Sequence, residues 1–167
     1  MIRELGEKKP KIHPTAYISE SAYVVGDVEI GENSSVWPSA VIRGDFGKIA
    51  IGKNTHVEDC CVIHTGDGVE IGDNVIIGHS ATLHCKKIGS NSLIGIGAIL
   101  LQGSEIGEGC IIAAGSLVSP NTKVPDRSLY MGSPARLKEQ LSEKKFAELR
   151  EGAEAYSELT VRYKGLG

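Results

Sequence analysis

Three of the five histidines fall close together, as His64, His79 and His84 in the spacing H-x14-H-x4-H. Neutral imidazole is the commonest side-chain ligand for zinc-like dications. Three imidazoles on one tetrahedral ion leave a fourth position open, and a water bound there is acidified towards a pKa of ~7. The chemistry such a trio offers is hydroxide addition at neutral pH. His13 and His56 have no such company and read as ordinary turn or structural residues. The four cysteines, Cys60, Cys61, Cys85 and Cys110, include no CxxC. They read as reduced, small hydrophobic residues, which points to a cytoplasmic protein.

The element that must position the histidines is a repeat. Ile, Val or Leu recurs every six positions at Ile12, Ile18, Val24, Ile30, Val36 and Ile42. The register resumes at Ile51, Val57 and Ile63, and again at Ile71, Ile77 and Leu83. A last run holds Ile88, Ile94, Leu100, Ile106, Ile112, Val118 and Val124. Gly often follows the anchor, as at Gly31, Gly52 and Gly72, which suits close packing or an unusual turn. A period of six is neither helical nor a plain alternation. It fits a short strand plus a turn, three of which close one triangular coil. Successive coils then stack with parallel strands about 4.8 Å apart. Aromatics are only 5% of the chain, so aliphatic side chains must fill the interior, as a narrow solenoid requires. The fold class is an all-β parallel solenoid, assigned to residues 1–130.

Residues 131–167 are expected to form a linker and a C-terminal helix outside the solenoid. Pro125, Gly132 and Pro134 break the repeat, and the helix is expected to begin near Ala135. Phe146, Leu149, Ala153, Tyr156, Thr160 and Tyr163 alternate spacings of three and four, giving one face. Ser142 is a candidate N-cap, and Gly152 is expected to weaken or kink the middle. Such a helix could cover a groove or touch a neighbouring subunit.

Counting along the repeat places the candidate residues. His64 follows the anchor Ile63, His84 follows Leu83, and Arg43 follows Ile42. One column therefore reads Arg43, His64, His84, with about one strand spacing between successive members. His79 comes two positions after Ile77 and belongs to a different edge. It could reach a metal held by a neighbour's column if solenoids pack around a threefold axis. Glu58, just after Val57, either orients or deprotonates a bound water or is a surface carboxylate. Asp59 and Asp45 suit supporting roles beside His and Arg.

The net charge of −3 argues against nucleic acid or an anionic membrane as partner. No apolar run reaches ~18 residues, and the first residues lack a signal peptide's apolar stretch.

The segments VIRGD at 41–45, VIHT at 62–65, GHSATLH at 78–84 and GSPAR at 132–136 resemble the gamma-class carbonic anhydrases, in the short-loop branch. The resemblance runs over essentially the whole chain. It implies a left-handed β-helix of hexapeptide repeats and a homotrimer with zinc, or iron or cobalt, between subunits. It implies reversible hydration of carbon dioxide to bicarbonate by a metal-bound hydroxide. By matching positions, His64 and His84 would come from one subunit and His79 from its neighbour. Arg43 and Asp45 match the family's trimer-stabilising, site-supporting pair, and Tyr156 matches its C-terminal active-site tyrosine. Three departures stand out. Glu58 replaces the usual Gln, His56 replaces a small polar residue, and the long acidic loop of the founding branch is reduced to Thr65-Gly66-Asp67-Gly68. Two other readings stay open. One is an acyl- or acetyl-CoA transferase, which needs one general-base His and no metal triad. The other is a non-catalytic trimeric scaffold that keeps the ion.

Overall fold

The computed structural model describes residues 1–165, so the last two residues of the expected C-terminal segment lie outside the described residues. The chain winds into a left-handed parallel β-helix of about seven turns, with one helix at its C-terminal end. Its strands form a 12-stranded and an 8-stranded sheet, and most strands are two residues long.

Three ladders of anchors explain the coil. Ile42, Ile63, Leu83, Leu100 and Val118 pair in register on one face. Val36, Val57, Ile77, Ile94 and Ile112 pair on the second. Ile30, Ile51, Ile71, Ile88, Ile106 and Val124 pair on the third. All are buried and point into one continuous core. Each buried aliphatic side chain contributes roughly 1.5–3 kcal/mol.

The corners need left-handed backbone. Asn54, Asn74 and Asn91 hold φ of 48°, 55° and 58°, and their side chains form a ladder. Asn54 donates to Asn74, Asn74 to Asn91, and Asn91 to Glu108, at 3.1–3.2 Å. Asn tolerates this region and satisfies its amide against the same residue one coil along. Glycine after the anchor has a steric cause: a Cβ on Gly31 would lie 2.5 Å from the Gly52 carbonyl oxygen. On the outside, Glu70, Lys87, Glu105 and Lys123 pair in register with alternating charge, so that face is solvated and self-neutralised.

The C-terminal region departs from expectation. The coil does not stop at Val124. Ser128–Gly132 adds another parallel rung, with Tyr130 beside Ile112. Tyr130 stands six positions after Val124 and packs partly buried against the core. Residues Ala135–Gln140 are a strand antiparallel to that rung, not the start of a helix. Arg136, Leu137, Lys138 and Glu139 are good helix formers, but the open edge of Ser128–Gly132 offers their backbone ready partners, and tertiary pairing overrides propensity. The helix, α1, spans Glu143–Lys164, and Ser142 caps it by accepting from the Lys145 amide at 3.3 Å. It runs unbroken through Gly152. Leu149, Ala153 and Thr160 are buried, and Phe146 and Tyr156 partly so. Tyr163 is 40% exposed yet sets its ring edge-on to Trp37 at 4.8 Å.

Candidate functional site

The first cluster is the column. Register places Arg43 beside His64, and Ile63 beside Leu83, so His64 and His84 occupy equivalent corners of adjacent coils. Their ring centroids are 5.8 Å apart at 72°. Two imidazoles on one tetrahedral ion, with bonds of ~2.0–2.1 Å, place their ring centres about 5 Å apart. The pair is therefore close to a geometry that could share a dication. Asp45 braces it. Its Oδ1 lies 2.9 Å from His64 Nε2, Arg43 Nη1 donates to Oδ2, and the Phe46 amide donates to Oδ1 at 2.9 Å. Burial raises the Asp45 carboxyl, but His64, Phe46 and Arg43 together outweigh it and hold it below the usual carboxylate range. Lys8 Nζ donates to the Asp45 carbonyl at 2.5 Å and so tethers the strand Val41–Ile51 to the N-terminal segment.

The second cluster lies on another edge. Because Val57 pairs with Ile77, Glu58 and Asp59 stack against Gly78 and His79. Glu58 is only 4% exposed, so it is no solvated surface carboxylate. Its Oε2 accepts the His79 backbone N–H at 2.9 Å and lies 3.1 Å from His79 Nε2. Asp59 Oδ2 lies 3.1 Å from His79 Nδ1. The Tyr156 hydroxyl, brought by α1, donates to Glu58 Oε1. Burial and that carboxylate partner push the Tyr156 phenol up to about 12, so it acts as a donor. Ile76, Leu93, Ile96 and Ile111 wall a groove beside these groups.

His79 does not join its own chain's His64 and His84. Among the described residues, no three His, Cys, Asp or Glu side chains of this chain converge as a metal-holding group. The donor chemistry nevertheless fits a zinc-like ion shared between chains. Two neighbouring imidazoles stand on one edge, and on the other stands a half-exposed imidazole with a carboxylate against each ring nitrogen, so one nitrogen would have to leave its carboxylate to ligate an ion. His13 sits apart, its Nδ1 2.8 Å from Thr15 Oγ1. Cys61 and Cys85 are buried and their thiols are pushed up to about 12, which leaves them packing residues.

His56 is the residue that sequence reasoning set aside. It is fully buried. Its ring lies between Ser35 of the coil and Ala153 of α1, and burial pulls it down to about 4. The signal available was weak: an imidazole one position before an anchor, beside the small Ser35 one coil away.

The chain matches the model of the bacterial transferase hexapeptide family (six repeats) over residues 9–44 and 86–120. It is 37% identical over 161 residues to gamma carbonic anhydrase 1, mitochondrial, of Arabidopsis thaliana, covering 92% of this chain and 58% of that protein. The chain thus spans little more than half the length of that curated relative. To the carnitine operon protein CaiE of Proteus sp. it is 38% identical, covering 92% of this chain and 79% of the relative. Among solved structures, one described as a putative acetyltransferase from Bacillus cereus superposes with a TM-score of 0.94 at 39% identity, covering 99% of this chain and 98% of the other. The repeat, its three ladders and these likenesses together place the chain in the hexapeptide-repeat family, with its relative CaiE, to which it is similar over most of both chains.

Proposed function

We propose that the protein is a metal-dependent carbonic anhydrase. His64 and His84 of one subunit and His79 of the next would hold a dication, zinc or else iron or cobalt, in a homotrimer. The observation that carries this reading is the division of the histidines, two adjacent on one edge and one alone on another. The likeness to a gamma carbonic anhydrase supports it. So does the strip between the two edges, where Val62, Ile96 and Ile99 are exposed and suit a subunit contact.

A bound dication supplies a water acidified towards neutrality, ready to attack carbon dioxide. The chain's own groups do the rest. Asp45 accepts from His64 Nε2, which leaves the lone pair on the other ring nitrogen. Arg43 aims the Asp45 carboxylate from its other oxygen. Asp59 orients the His79 ring from Nδ1. Glu58 is the proton-accepting candidate on the His79 edge, with Tyr156 holding its other oxygen.

Metal analysis of anaerobically purified protein, with a stopped-flow hydration assay, tests the reading. One dication per chain, and hydration lost on chelation, are expected. A second reading, acetyl transfer from acetyl-CoA, is favoured by the structural likeness to a putative acetyltransferase. It requires turnover that survives chelation. Stoichiometric metal without either turnover would leave a trimeric scaffold.

No helix among the described residues is long and apolar enough to cross a membrane.

A further inference from the structure

The contacts of His56 converge on one job. Its Nε2 lies 2.9 Å from the Ala153 carbonyl of α1, an oxygen that can only accept. Nε2 therefore carries the proton, and Nδ1 accepts from the Ser35 hydroxyl at 2.8 Å. The Ser157 hydroxyl of α1 also lies 3.3 Å from Nε2. The ring itself stacks on Tyr156, with centroids 5.4 Å apart and planes 27° apart. Trp37 meets Tyr156 edge-on at 6.4 Å. The phenol is thus fixed by aromatic neighbours, with its hydroxyl on Glu58. His56 touches none of His64, His79 or His84 in this arrangement.

We propose that His56 is a positioning residue, which seats α1 on the coil through Ser35 and Ala153 and sets the Tyr156 hydroxyl against Glu58. Without the ring the buried Ser35 hydroxyl would lose its side-chain partner and the coil this bond to α1, although the Ala153 carbonyl, inside the helix, would keep the Ser157 hydroxyl at 3.4 Å. Burial pulls the imidazole down to about 4, so the tautomer persists at neutral pH. The bearing on catalysis rests on the hydration reading above; the seating of Tyr156 does not.

The test uses the full-length protein, with His56→Ala and His56→Phe, and Tyr156→Phe as reference. His56→Phe keeps a buried ring but loses every hydrogen bond of the imidazole. Phenolate absorbance at pH 11, less that of the reference, reports Tyr156. With the phenol near 12, about a tenth is ionised in the parent, and release towards an ordinary tyrosine raises this to as much as about nine tenths. Both variants are expected to show the rise, to keep their metal, and to lose about tenfold or more in hydration kcat with little change in KM. Should His56→Ala fail to fold, His56→Phe, which keeps an aromatic ring in the site, decides. A Tyr156 that stays un-ionised at pH 11 in His56→Phe overturns the proposal. A parent that hydrates no carbon dioxide, while the phenol shift appears in the variants, defeats the hydration reading and leaves the positioning role standing.

Discussion

A carboxylate as buried as Glu58 depends on its donors. The His79 amide and the Tyr156 hydroxyl together stabilise its charge where water is scarce. Glu58→Gln would keep an oxygen for Tyr156 but turn a donating amide towards another donor, the His79 N–H. Metal content should hold, since Glu58 is outside the proposed ligand set. If Glu58 accepts the proton, hydration should fall by about a hundredfold, and added buffer should rescue part of it. A rise instead would assign the residue to water orientation, where Gln is the family's usual choice. Stopped-flow rates across buffer concentrations separate the two.

His56 sets a pH dependence of stability. Its folded value, about 4, lies below its ordinary 6.5, so the unfolded chain binds the proton more tightly. Stability from this group is intact above pH 6.5 and declines as pH falls towards 4. The full loss is about 3 kcal/mol. Urea midpoints at neutral pH and near pH 4.5 should therefore differ more in the parent than in His56→Gln, which has no proton to gain. Equal differences would remove His56 from the acid response.

At the scale of elements, the anchors were readable because a side chain that must enter a narrow core every six residues leaves a period no other fold produces. Counting alone put Arg43, His64 and His84 in one column, since a stacked coil converts sequence offset into spatial register. The same argument fails wherever register ends. Ala135–Gln140 has helix-forming side chains, and only the exposed edge of Ser128–Gly132 makes it a strand. Tyr156 and His56 come together across about a hundred residues of sequence, and no periodic rule states where α1 docks. Ile77 lies at the centre of one ladder, fully buried between Val57 and Ile94. Ile77→Asp should cost roughly 3–5 kcal/mol, since it leaves a charge with no partner in a dry interior. Loss of the cooperative thermal transition, or of the assembled protein on sedimentation, would register it.

At the scale of the whole molecule, the two histidine clusters stand on different edges of one triangle, and complementation tests whether chains share sites. His79→Ala and His84→Ala should each lose most metal alone, because two protein ligands hold a dication poorly. Mixed and reassembled, some trimers would set an intact His64 and His84 beside an intact His79. Partial recovery of bound metal in the mixture is expected. No recovery would mean that each site is confined to one chain.

The Glu58–Tyr156 contact joins partners 98 residues apart, one in an early coil and one in the last element. Each coil can stack as it leaves the ribosome, because its neighbour along the axis has just been made. Tyr156 is synthesised only after every coil. The solenoid can therefore be finished while Glu58 still lacks its phenol, and this edge is completed only once α1 has been made. A chain released before Glu143 would carry all the ladders and both histidine edges, with the Glu58 carboxylate laid open.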